Sequence, residues 1–173
     1  MSPECQESRK SRTTFISALL LVLASVFTAV HAAESAEMKV VRDFLDSWHS
    51  GDIDKIMGFF AADCYYANYP SLSGDDPVIK GNDKIRAFLT PFLRKDPLTV
   101  PFKFHTEVDN IVGGADGVAL ERHDVFDTGN LHHSVPVAGF FRVKSGKITY
   151  WVDYFDGAAF QPVTTIMTTY ARK

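Results

Sequence analysis

Cysteine is scarce: the 173-residue chain has two. Cys5 falls in the leader described below, so the expected mature chain keeps Cys64 alone and offers it no intrachain disulfide partner. Cys64 stands in the apolar-aromatic run Cys64-Tyr65-Tyr66, where a free thiol reads as packing rather than as a nucleophile. Excess positive charge is missing too. Lys and Arg number 18 against 21 Asp and Glu, a formal net charge of -3, and no basic stripe marks a surface for nucleic acid. Metal-ligand spacing is also absent. His132 and His133 are adjacent on a predicted strand and point to opposite faces, and no His, Cys and carboxylate spacing suggests zinc. Gly113, Gly114 and Gly117 precede no helix, so they form a hairpin turn rather than a phosphate cradle. The chain has no internal repeat and no low-complexity segment. The expectation from these absences is a protein without a zinc site or a nucleic-acid partner.

Aromatic bulk is plentiful: 14 Phe and 6 Tyr in a chain that is 46% hydrophobic. That length and composition suit one globular domain with a real core. The amino terminus is set apart from it. Arg9, Lys10 and Arg12 precede an apolar run from Phe15 to Val30, and Val30-His31-Ala32 offers small residues at a cleavage site. That is the order of a secretory signal, and the run is short of the about 20 apolar residues of a membrane span. Residues 1–32 are therefore expected to direct export, periplasmic or extracellular, with cleavage near Ala32-Ala33. Uncleaved, the same segment would anchor the chain in a membrane. Residues 33–173 are expected to be the single domain, with its core at about 38–160 and a polar tail at 161–173 that the pattern does not place.

Helical periodicity comes first. Glu37 to Ser50 carries Val41, Phe44, Leu45 and Trp48 on one stripe, and Gly51 stops it. Asp52 caps a second short helix with Ile53, Ile56, Phe59 and Phe60. A strand at Ala62–Asn68 leads to a Pro- and Gly-rich loop over 69–81. Asn82 caps a third helix with Ile85, Phe88, Leu89, Phe92 and Leu93. Strands then follow in series: Phe102–Val112, Val118–Phe126, His132–Val143 and Ile148–Phe155, with turns at 113–117, 127–130 and 144–147. The fold class is α+β. Three N-terminal helices are expected to pack on a strongly curved, mostly antiparallel sheet, forming a cone with an internal pocket.

The strand Val118–Phe126 is the most informative stretch. With period two, one face carries Val118, Leu120, Arg122, Asp124 and Phe126, and the other Ala119, Glu121, His123 and Val125. The bulkier apolar face thus carries an arginine and an aspartate. Burying them costs several kcal/mol unless they are paired. A structural ion pair and an ionised group at the bottom of a pocket both answer that demand. Two more pairs share the i, i+2 spacing: Tyr66 with Asn68, and Trp151 with Asp153. If all three face the inside of the cone, its cavity holds two carboxylates, a guanidinium, a phenol and an amide. Packing alone explains that poorly.

These pairs, with Ser134-Val135-Pro136-Val137-Ala138-Gly139-Phe140-Phe141 and the run from Gly146 through Trp151 and Asp153 to Asp156, resemble the limonene-1,2-epoxide hydrolase family. The resemblance extends across about Val40 to Phe160. The wider superfamily of nuclear-transport-factor-like and polyketide-cyclase-like cones shares the fold but not this polar set. The resemblance implies one-step addition of water to a small apolar epoxide, without cofactor or metal, by a homodimer. Asp153 would be the general base, acting on a water held also by Tyr66 and Asn68. Asp124 would be the general acid, and Arg122 would lie between the carboxylates and orient both. Phe126, Val135, Val137 and Phe155 match pocket-wall positions, with Trp151 as wall or contact. Two features depart from the family pattern: a shorter hairpin between Asp124 and Val135, and the signal segment.

The chemistry has a physical basis of its own. Opening an epoxide releases an alkoxide, so an acid must meet that oxygen while a base strips the water. Two aspartates in one buried site hold one proton between them, and Arg122 makes the triad neutral. Which aspartate carries the proton is open at this point. Two rival functions also stand: an isomerase or cyclase using a single aspartate as base, and a binding protein in which Arg122 grips a ligand carboxylate.

Overall fold

The computed structural model describes residues 34–72, 74–93, 103–127 and 132–171, with backbone alone for 167–171. The expected signal segment and the centre of the turn expected at 127–130 lie outside the described residues. Residues from Glu34 onward form a compact unit.

Helix α1 (Ala36–Ser47) starts where Ser35 Oγ accepts from the Met38 N–H at 3.1 Å. Its stripe of Val41, Phe44 and Leu45 is buried, and a 3-10 turn (Trp48–Ser50) extends it. Gly51 then takes a left-handed conformation at φ 60°, which a side chain would disfavour. Asp52 caps α2 (Ile53–Met57) through Oδ1, which accepts from the N–H groups of Asp54 and Lys55. Helix α2 does not continue through Phe59 and Phe60 as its periodicity suggests. Phe60 opens strand β1 (Phe60–Tyr69), where it pairs with Ile148 and packs its ring 5.2 Å from that of Phe44. Sheet pairing overrides the local helical pattern there.

The stretch expected to be a plain loop contains β2 (Val78–Lys80), antiparallel to β1. Three residues between prolines and glycines are too few to show a period. Helix α3 (Asn82–Leu93) follows, so the third helix comes after two strands, and the helices are not all N-terminal. β3 (Lys103–Gly114), β4 (Gly117–Asp127), β5 (His132–Lys144) and β6 (Lys147–Phe155) complete a six-stranded sheet. Its order is β2-β1-β6-β5-β4-β3. Four pairings are antiparallel, but β1 lies parallel to β6, so the sheet is mixed.

The supposed polar tail is largely a fourth helix, α4 (Gly157–Ala171). Phe160 and Val163 are buried against Phe126, Val135 and Val137, and Ile166 packs beside them. Those three apolar residues recur every third position among Gln, Pro and Thr, a stripe too thin to stand out in the sequence. His133 Nε2 donates to the Ala159 carbonyl at 2.6 Å and ties α4 to β5. The main core lies between the inner sheet face and α1–α3, centred on Phe44 with Phe60, Phe141 and Trp151 around it.

Candidate active site

The inner face of the sheet collects the three polar pairs. β1 supplies Tyr66 and Asn68, β4 supplies Arg122 and Asp124, and β6 supplies Trp151 and Asp153, all buried. Register fixes their spacing. Asn68 lies beside Asp153 and Tyr66 beside Trp151 across the parallel β1–β6 pair. β5 separates β4 from β6, so Arg122 must cross two strand spacings, about 9.5 Å, to meet Asp153. The inward position in its path is Gly139, paired with Leu120 on one side and Asp153 on the other. A Cβ there would stand 2.9 Å from Arg122 Nη1 and 3.1 Å from Asp153 Oδ1. The missing side chain is what lets the guanidinium through. Sequence reasoning gave Gly139 no role, although a glycine at an inward strand position signals a close approach.

Arg122 uses its whole fork. Nε donates to Asp124 Oδ1 at 2.7 Å, and Nη2 to Asp124 Oδ2 at 3.2 Å. Nη1 and Nη2 donate to Asp153 Oδ1 and Oδ2, each at 2.9 Å. Trp151 Nε1 also donates to Asp153 Oδ1, at 2.8 Å. Trp151, expected as wall or contact, is therefore wall and support for Asp153 together. A carboxylate has about four acceptor sites. Asp153 has three occupied by these donors, leaving one on Oδ2.

Burial pushes the Asp124 carboxyl above its ordinary value of 3.8; the pull of Arg122 opposes this, and the charge of Asp153 adds to it. Burial alone would lower the Arg122 pKa, but the carboxylates of Asp124 and Asp153 hold it well above its usual value. The guanidinium stays charged. Burial, then the neighbouring Asp153, pushes the Tyr66 phenol well up, so it remains a neutral hydroxyl. The burial of Asp124 thus works toward its protonated form.

A cavity of about 40 Å³ opens onto these groups. That is room for about three waters. Tyr66, Arg122, Asp124, Phe126, Trp151, Asp153 and Phe155 line it, as do Trp48, Phe88, Phe104, Thr106 and Phe160. Val135 and Val137, expected on the wall, are not among its lining residues. Both are buried in the cluster with Phe126, Phe160 and Val163, covered by the helix that the sequence pattern did not reveal. Asn68 is fully buried beside Asp153. Its Oδ1 accepts from the Leu72 N–H at 2.5 Å, while its Nδ2 has no acceptor among the described residues. Burial pushes the Cys64 thiol up to about 12, which fits packing rather than nucleophilic chemistry. His123 meets Asp109 at 2.8 Å and His132 meets Asp127 at 2.7 Å, both on the exterior.

Residues 35–167 match the family model for the limonene-1,2-epoxide hydrolase catalytic domain. The chain belongs to the limonene-1,2-epoxide hydrolase family. Among solved structures, an LEH-like epoxide hydrolase from M. tuberculosis is 26% identical, covering 77% of this chain and 92% of that one, with a TM-score of 0.57. A putative isomerase from Bacillus subtilis is 13% identical over 75% of this chain and 93% of its own, with a TM-score of 0.62. AusH from Aspergillus nidulans is 13% identical over 70% and 84%, with a TM-score of 0.58. The last two are similar in fold alone. The limonene-1,2-epoxide hydrolase match runs from Ser35 into α4, so this helix belongs to the catalytic domain.

Proposed function

We propose that this member of the family adds water to a small apolar epoxide in one step, without a cofactor. The observation that carries the reading is the double bridge from Arg122 to two buried aspartates at the floor of an aromatic cavity. Tyr66, Asn68 and Asp153 hold the water. As its oxygen bonds to an epoxide carbon, Asp153 Oδ2 takes the water proton. The carbon–oxygen bond of the ring breaks, and Asp124 delivers its proton to the departing oxygen. The product is a diol. The unpaired Asn68 Nδ2 and the open acceptor site on Asp153 support the water's position. The raised Asp124 pKa supports its part as acid.

An isomerase or cyclase would use one carboxylate on a carbon acid and gains nothing from a second one coupled through arginine. A binding protein would have Arg122 free for a ligand carboxylate, whereas here the fork is engaged on both sides. Turnover of aliphatic, terpene and styrene epoxides in isotopically labelled water tests the reading. One labelled oxygen per diol is expected; substrate consumed without incorporation would point to isomerisation.

The family resemblance also motivates a homodimer and the N-terminal segment an exported protein. Phe140 and Tyr154 project from the outer sheet face, exposed and with their rings 6.0 Å apart, and offer apolar surface to a second copy.

A further inference from the structure

The cavity is walled largely by aromatic rings, and those rings are packed on one another. Phe104 stands between Trp48 and Phe126, with ring centroids 4.9 Å away on each side. Phe126 in turn meets Phe160 at 5.6 Å, and Phe160 meets Phe155 at 5.2 Å. In a second series Tyr66 lies 4.1 Å from Trp151 and 5.5 Å from Phe88. A ring held on both sides at such separations is already in contact, so it cannot withdraw without displacing a neighbour. There is no slack behind the first series either. Phe126 and Phe160 back onto Val135, Val137 and Val163, all buried. A substrate must therefore fit the space as the rings leave it.

That space is small. The cavity of about 40 Å³ holds about three waters, or about 90 Å³ of liquid at about 30 Å³ each. The proposed reaction needs water and epoxide there together. One water set aside leaves about 60 Å³, which a ring of two carbons and an oxygen already fills. Every substituent must then lie toward the open side of the cavity. An epoxide with one unsubstituted carbon meets that condition, with its CH₂ and oxygen inside and its chain trailing out. An epoxide fused to a larger ring carries bulk on both carbons and drives one side of it against the packed rings.

We propose that the site selects terminal epoxides, 1,2-epoxyalkanes with one unsubstituted carbon, over internal and ring-fused epoxides, and that the packed ring wall sets this limit. The inference rests on the epoxide hydrolase reading and names its substrate class. One methylene too many in a hydrophobic pocket is worth roughly 10- to 200-fold, so a preference of about 10-fold or more in kcat/KM is expected.

The test compares 1,2-epoxyhexane with 1,2-epoxycyclohexane, which have the same number of carbons and so separate shape from size. Wild-type protein should favour the linear epoxide by that factor. Phe88 on α3 and Phe104 on β3 are the half-buried rings of the wall, so they can be shortened at less cost to the core. Phe88→Ala and Phe104→Leu should each bring the ratio toward one by raising turnover of the ring-fused epoxide. A wild-type ratio near one or reversed overturns the proposal and needs no variant; so does a ratio that both folded variants keep. A second arm titrates 1,2-hexanediol and trans-1,2-cyclohexanediol into wild-type and variant proteins by calorimetry. If neither epoxide is turned over, the hydrolase reading fails, but a binding preference for the linear diol that the variants lose would still uphold the limit set by the wall. No binding preference would overturn it.

Discussion

Gly139→Ala probes the step on which the proposed site depends, the passage of Arg122 over β5. The added methyl meets three neighbours at once: Arg122 Nη1 at 2.9 Å, Phe141 Cε2 at 3.0 Å and Asp153 Oδ1 at 3.1 Å. Ordinary carbon contacts are about 3.5 Å or more, so each neighbour must yield by roughly half an ångström. The Arg122 and Asp153 atoms that must move are the two ends of one 2.9 Å hydrogen bond, and Asp153 Oδ1 also carries the Trp151 bond. Phe141 is packed against Trp151, with rings 5.9 Å apart, and has little room to retreat. Overpacking of this kind costs about 1–3 kcal/mol of stability, and a displacement approaching 1 Å at a reacting group costs about 10²-fold in rate. The expected result is a folded protein with its melting temperature lowered by several degrees, and kcat/KM on an accepted epoxide lowered about 10- to 100-fold. In an Asp153→Asn background the same change should add little, because the group it displaces has already lost its function. Wild-type turnover by Gly139→Ala, with the melt shifted as expected, would refute the argument that Arg122 and Asp153 must meet over that glycine.

Asp124→Asn and Asp153→Asn should each lower turnover by about 10²-fold or more, measured as initial diol formation, and the double variant should lose little beyond the worse single one. Arg122→Lys should also be damaging, since an ammonium cannot bridge two planar carboxylates. The pH dependence has a definite sign. The proposed acid works protonated and its pKa is raised above 3.8, so kcat/KM should hold at pH values below that raised pKa, as far as the base stays ionised, and fall as pH rises through it. A profile in which Asp124→Asn retains the same alkaline fall would assign that limb to another group. Chain recovered from its host should begin near Ala33, checked by mass spectrometry of the intact protein; intact Met1 chain in the membrane fraction would favour the anchored form. Phe140→Glu together with Tyr154→Glu should turn a dimer into a monomer in sedimentation, leaving turnover per chain to show whether the copies act independently.

The site was legible in the sequence because strand parity is a short-range property. Residues i and i+2 share a face whatever the rest of the fold does, so Arg122 with Asp124 and Trp151 with Asp153 could be paired without knowing the sheet order. What parity cannot give is which strands are neighbours. The parallel contact of β1 with β6, which sets Asn68 beside Asp153, joins residues some 85 positions apart and leaves no local trace. The same limit hid Gly139, whose meaning depends on lying between two strands that need to communicate. It also bears on Val135 and Val137, which the family resemblance put on the pocket wall: α4, which covers them, left no mark in the sequence pattern. Helix α4 and β2 were lost for a different reason, a stripe too sparse and a strand too short to carry a period.

Sheet order also arranges the proposed chemistry. Crossing the inner face from β1 to β4, the groups run from water-holding phenol and amide, to base, to the gap at Gly139, to arginine and acid. In the proposed reaction one proton enters this row at Asp153 and one leaves it at Asp124. The summed charge of the two carboxylates and the guanidinium is therefore the same before and after ring opening. That constancy matters because the three groups are nearly dry, where a change of one full charge would cost several kcal/mol. Arg122 donates to both carboxylates throughout, so as Asp153 becomes neutral and Asp124 becomes charged, the cation need only shift its stronger bonds from one partner to the other. A lysine in its place would have to move bodily to follow the charge. The fork does so by redistributing hydrogen bonds it already makes.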